Sequence, residues 1–489
     1  MSSIASVLAK PQVAPPREQL RRTSFRLIPK LETDPRVVSF SQTVPGKLTL
    51  LAIFGLTLSL LDDGWQMWTT LALLSCIAFL PKLRRLLLTL GAMLFANLFS
   101  FEHSTLTRLL PENVQFSRTS DLLWIVLPFL LTTVALMWVA AKYSRSLIAR
   151  RPLLTLLGIL GLLAAVASYA PLSGFPRYAI WAFLLTFCSY LWYLAYALSD
   201  CATVHEPKNV LSQYAALRPF WGFGGPPLPK GWTYWRRIEA KTPEELAVTM
   251  IKGVKLMVWC FLLSTLNTYY LAFVHNRLGI PSPANCVNAW RLGKPQALAV
   301  NWLVWPSDLL EQLLKISVWG HMIIATCRMA GFRALRNTYA PLSSRTIAEY
   351  WNRYYYYFKE LLVDMFFYPT FIRCFKRHPK VRIFFATFVA ASLGNTLYHF
   401  LLHPLTALTF GLLTAVLTSR NYLFYSLLLA LGISISQVRS RKPLGSRGWL
   451  REHITAPACV LAFYCLVRVF EFSSPTVGVR YLTFLFSGR

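Results

Sequence analysis

Long apolar runs recur along this chain, from near Leu48 to the region of Phe472. They are continuous and rich in Leu, without the period-2 alternation of a membrane strand. A helix needs about 20 apolar residues to cross the hydrocarbon layer. Only helices and closed barrels satisfy their backbone groups there. The pattern therefore predicts an all-α, polytopic transmembrane protein, with about 10–12 membrane helices and cytoplasmic amphipathic helices. The runs fall near 48–62, 65–80, 86–101, 122–142, 153–170, 178–198, 254–274, 299–327, 382–402, 404–419, 421–437 and 454–472.

Charge sets the expected orientation. The chain carries 50 Lys and Arg against 20 Asp and Glu, a formal charge of +30. These basic residues sit between apolar runs rather than on one soluble face, which argues against nucleic acid and for the positive-inside bias of cytoplasmic loops. The loops PKLRR (81–85) and KYSRSLIARR (142–151) are basic, and DDG (62–64) is not. This predicts a cytoplasmic N-terminus, with a bacterial inner membrane as the expected location. Counting every run through 437 as a crossing puts the basic stretch 437–452 outside, so 404–419 is expected to be re-entrant or half-crossing.

Four regions follow. Residues 1–46 read as a basic cytoplasmic tail without a secretory cleavage site, and 47–198 as the N-terminal membrane helices. Residues 199–253 read as a cytoplasmic or interfacial loop holding the Gly-, Pro- and Trp-dense FWGFGGPPLPKGWTYWRR (220–237). Residues 254–489 read as the C-terminal membrane region. The G-x-G-G in that loop has no preceding strand and no dinucleotide spacing. The nine Cys include no C-x-x-C, so neither a disulfide framework nor a metal site is expected.

Chemistry points to 343–402. Over 346–375, Trp351, Tyr354 and Phe358 recur at three and four residues, as do Tyr355, Lys359 and Leu362, which predicts an amphipathic or half-buried helix near the cytoplasmic face. The following span carries Asn395 and His399 at i, i+4, with Ser392 three residues earlier. Polar side chains inside the membrane are costly and face a protein interior or a cavity. Histidine also suits general base work near neutrality. His321 is the rival intramembrane histidine, while His378 and His403 read as solvated or interfacial. Asp308 and Glu311 share a helix face with Lys315, which reads as a structural ion pair.

Residues 340–405 resemble the membrane-bound O-acyltransferase family. The resemblance rests on Tyr350-Trp351-Asn352-Arg353, then Asp364-Met365-Phe366-Phe367-Tyr368-Pro369, then the intramembrane His399 in Leu397-Tyr398-His399-Phe400. Tyr398-His399-Phe400 differs from the W-H-G of polysaccharide acylases, so the chain looks nearer the wax synthase and lipid-acylating branches. The resemblance implies His399 and Asn352 as catalytic residues, with Trp351, Asn395, Lys359 and Arg373 binding substrate. It implies acyl transfer from acyl-CoA or acyl carrier protein to the hydroxyl of a lipophilic alcohol, lipid or glycan. The thioester is a co-substrate, and no bound cofactor is expected. The expected partners are the bilayer, the acyl donor and the hydroxyl acceptor, with room for a homo-oligomer. The alternative is a transporter or flippase, in which Ser392, Asn395 and His399 line a substrate path.

Overall fold

A computed structural model describes residues 27–61, 64–99, 106, 122–204, 210–217, 228–439 and 448–488. Among these residues the fold is all helical, with no strand beyond one isolated bridge between Glu239 and Phe332. In chain order the longer helices are α1 (Pro35–Gln42), α2 (Val44–Ser59), α3 (Trp65–Phe79), α4 (Arg84–Phe99), α5 (Trp124–Lys142), α6 (Pro152–Tyr169), α7 (Gly174–Thr203) and α8 (Pro243–Arg277). They continue with α9 (Pro283–Arg291), α10 (Leu298–Met329), α11 (Ile347–Tyr354), α12 (Tyr356–Leu362), α13 (Pro379–Leu401), α14 (Leu412–Val438), α15 (Ala456–Arg468) and α16 (Pro475–Ser487).

Among the described residues, six helices are long and apolar enough to cross a membrane: α5, α6, α7, α8, α13 and α14. The pair α1 and α2, bent by 96°, makes a seventh if counted as one span. These six match six of the twelve apolar runs. The other runs fold differently from full spans for visible reasons. Residues 65–80 and 86–101 form helices of 15 and 16 residues. The run 299–327 lies in the 32-residue α10, which carries Asp308, Glu311, Lys315 and Arg328.

The run 404–419 is not a single element. A six-residue helix, Leu405–Phe410, stops at Gly411, whose φ of +83° is open to glycine and strained for other residues. Residues 412–419 then form the first turns of the 27-residue α14.

The tail also departs from expectation. Its first 26 residues lie outside the described part, but order begins well before residue 47. The Asp34 side chain accepts from the Arg36 amide at 2.8 Å, Pro35 takes the first helical position, and α1 follows. Val38 in α1 is buried in the same core as α8, and Lys255 of α8 holds Glu32 at 2.6 Å. Of the aromatic loop, 218–227 lies outside the described residues, while Trp232–Ile238 is a short helix with Trp235 buried.

Two apolar cores organise the bundle. One joins α1–α4 to α8 and α10 through residues such as Phe54, Leu74, Met250 and Ile323. The second joins α5, α6 and α7 to α12 and α13. Helix α7 runs through the middle of this core: 78% of its apolar window is buried, against 22% for α6. A helix apolar on every side belongs inside, and one left bare in a membrane protein faces lipid. A smaller core seats α11 between α14 and α15.

Candidate functional site

The stretch 346–375 does not form one helix. Thr346 caps α11, accepting from the Glu349 amide at 3.1 Å, and Glu349 reaches back to the Arg345 amide at 2.9 Å. Tyr350 is buried, its ring centroid 4.1 Å from that of Tyr464. The helix ends at Tyr355, whose φ of −149° is extended. Buried Asn337 restarts it. Its carbonyl accepts from the Tyr356 amide at 2.8 Å, and its Oδ1 accepts from the Tyr357 amide at 3.2 Å. That side chain supplies the cap that opens α12. The segment is half-buried as expected, but it is broken in two, with Tyr357, Phe358, Leu361 and Leu362 buried in the second part.

The segment continues as a π-helical turn over Val363–Phe367, facing a second π turn, Ala390–Gly394, in α13. Such turns recur at functional sites. Close approach depends on Gly394: a Cβ there would lie 2.8 Å from a ring carbon of Phe366 and 3.0 Å from Leu362.

His399 sits one turn beyond this contact, half-buried. Its ring lies 4.6 Å from Tyr422 of α14, tilted by 34°. Tyr398 and Phe358 meet it edge-on at 5.3 and 6.2 Å. Trp351 joins the same wall through Phe358 at 6.0 Å, and Trp192 of α7 through Tyr398 at 6.0 Å. Neither imidazole nitrogen has a hydrogen-bond partner among the described residues. Buried oxygens without a protein partner occur nearby in the chain on both helices: Asn395 Oδ1 and Thr396 Oγ1 on α13, and Asn421 Oδ1 beside Tyr422. Buried polar atoms are almost always paired, so such orphans call for an explanation.

The residues expected in the site separate into groups. His399 and Trp351 share one aromatic wall. Asn352, next to Trp351, is exposed, and no hydrogen bond or ring contact joins it to His399. The sequence neighbours lie about 100° apart around a helix, and Trp351 is the one packed into the cores. Asn395 is buried and gives its amide to Ser426 of α14 at 3.3 Å, while Ser392 bonds the Phe388 carbonyl of its own helix at 2.6 Å. The first bond joins α13 to α14, and the second stays within α13.

Lys359 is paired with Glu360 at 2.7 Å and lies over the Tyr356 ring. Burial and then the Glu360 carboxylate raise the Tyr356 phenol well above its ordinary value. Arg373 is exposed, as are Lys376, Arg377, His378 and His403. His321 is buried with Nδ1 unpaired, and its burial, then the Arg336 and Arg328 cations, oppose its protonation.

Three features escaped sequence reasoning. Tyr422 supplies the closest ring to His399 but lies in a plain apolar run. Asn337 governs the break at Tyr355 from outside the motif region. Asp364 of the Asp-Met-Phe-Phe-Tyr-Pro element accepts from the Tyr196 hydroxyl at 2.6 Å and from buried Lys230 at 2.9 Å. Lys230 thus ties the end of the aromatic loop to the candidate core. Among the described residues no group of His, Cys, Asp and Glu has a metal-binding arrangement. No family model matches the chain, and no curated protein matches it in sequence.

Proposed function

We propose that this membrane protein is an O-acyltransferase in which His399 acts as general base. The supporting observation is an imidazole with no protein partner, held by Tyr422, Tyr398 and Phe358 next to buried polar oxygens that also lack one.

In this reading an acceptor hydroxyl gives its proton to His399 as its oxygen attacks the thioester carbonyl carbon. The tetrahedral intermediate collapses, the carbon–sulfur bond breaks, and the leaving sulfur takes the proton back from His399. The aromatic wall suits an acyl chain. Arg373, Lys376 and Arg377 are exposed cations available to coenzyme A phosphates, whereas Lys359 is already neutralised by Glu360. Asn352 is not assigned a step. In the transporter reading the stripe is narrower than expected, because Ser392 bonds back to its own helix and the Asn395 amide nitrogen is given to Ser426.

The test uses membranes containing the protein, a labelled acyl thioester and a panel of lipophilic alcohols. His399→Ala is expected to lower transfer at least about 100-fold, the lower range for loss of a general base. Undiminished transfer at equal protein level would remove His399 from the chemistry.

A further inference from the structure

Among the described residues a cavity lies away from His399, between the end of α8, the start of α9 and the first half of α10. It has a volume of about 240 Å³ and is lined by His275, Ser307, Asp308, Glu311, Gln312 and Phe472, among others. At about 30 Å³ per water molecule it has room for on the order of eight waters, or one small organic molecule.

The lining keeps polar atoms free for a ligand. Asp308 is 7% exposed and takes the Arg468 guanidinium on Oδ2 at 2.7 Å; among the described residues its Oδ1 has no hydrogen-bond partner. His275 Nδ1 lies 2.7 Å from the Ile280 carbonyl, which can only accept, so Nδ1 carries the hydrogen, and Nε2 faces the Glu311 carboxylate at 3.5 Å. Among the described residues the Gln312 amide makes no hydrogen bond, and Phe472 adds an aromatic face.

Charge selects among donors. Each lining carboxylate already has its own cation, Arg468 for Asp308 and Lys315 for Glu311. What remains unmet is hydrogen-bond donation rather than neutralisation. We infer that this cavity is a binding site for a small polyhydroxylated molecule, a polyol or single sugar ring, whose hydroxyls donate to Asp308 and Glu311 and bond the Gln312 amide, and whose C–H face lies on Phe472. This assignment stands apart from the acyltransferase reading and needs no activity at His399.

The test is ligand binding to the full chain in nanodiscs, read by thermal unfolding and by saturation-transfer NMR. The probes are glycerol, myo-inositol and methyl glucoside, with choline as the cationic comparison. At least one polyol is expected to bind saturably, and Gln312→Leu and Glu311→Gln are each expected to weaken it about 10-fold, the effect of one lost hydrogen bond of about 1.4 kcal/mol. The conservative Gln312→Asn should retain part of the affinity, which separates recognition from a folding defect. Three results would overturn the assignment: no polyol binds at tens of millimolar, binding is indifferent to both substitutions, or choline alone binds.

Discussion

The surroundings of His399 and of Asp308 lie in the same helical bundle and solve opposite problems. Around His399 the walls are aromatic and uncharged, and the polar atoms on the helices that carry it go partly unpaired. Around Asp308 every charged group has a partner: Arg468 holds Asp308 and also Glu471 at 3.2 Å, and Lys315 holds Glu311. The first arrangement sacrifices hydrogen bonding and leaves an imidazole available. The second satisfies buried charge and so fastens α10 to α15. An uncharged wall beside unpaired oxygens suits a reactant, while paired buried charges make a joint.

That contrast can be broken most forcefully at the joint. Arg468→Met strands Asp308 and Glu471 in the interior and is expected to cost about 3–5 kcal/mol, as removal of one member of a buried pair does. Thermal unfolding in detergent measures it. Replacing all three residues together by apolar ones should recover most of the loss; a triple variant as unstable as Arg468→Met would mean the charges are not the cause.

At the other region the expected stability effects are smaller. Gly394→Ala places a methyl against Phe366 and Leu362. Overpacking of this kind costs about 1–3 kcal/mol, and the shift it forces should lower acyl transfer, because α12 carries the Phe358 wall of His399. A variant with wild-type unfolding and transfer would show that α12 and α13 are not closely seated. Asn395→Ala removes the bond to Ser426 and should cost about 0.6 kcal/mol, typical for helix contacts in membranes, read by the same unfolding assay.

Trp351 and Asn352 sharpen the comparison at single-residue level. Trp351→Ala removes part of the aromatic wall and should lower transfer, whereas Asn352→Ala should change stability by no more than about 0.5 kcal/mol and leave transfer near wild type. Transfer lost in Asn352→Ala alone would restore the catalytic role that the resemblance implied for it.

A further effect lies outside both regions. Burial pushes the Glu32 carboxyl up, but the Lys255 hydrogen bond and charge outweigh it and leave it below its ordinary 4.5. A depressed carboxyl stabilises the fold above that value and loses the contribution as pH falls through the folded one. The pair lies near the surface, so the stabilisation is at most about 1 kcal/mol. Glu32→Gln should flatten the unfolding profile only below about pH 4.5.

Much of the helical layout was legible because apolar length is a local property. The runs that became α5 to α8, α13 and α14 announce themselves in the chain. The end of 404–419 at Gly411 was also visible as a glycine, but its positive φ was not. With 412–419 merged into α14, the run 404–419 is not a crossing of its own. Long-range partners were hidden. The ion pair expected between Glu311 and Lys315 is present, but Asp308 beside it turns to Arg468, 160 residues away. The break at Tyr355 belongs to Asn337, and Tyr422 reaches His399 only through the packing of α13 on α14. Periodicity along a sequence carries no sign of either.

The central claim is that the reacting thioester sits at the aromatic wall around His399. A photo-crosslinkable acyl-CoA analogue, irradiated with the full chain in nanodiscs and mapped by mass spectrometry, tests it most directly. The account predicts label on peptides containing Trp351, Phe358, His399 or Tyr422, displaced by unlabelled acyl-CoA. Displaceable label confined to the peptides around His275 and Asp308, or none above the irradiation background, would contradict it.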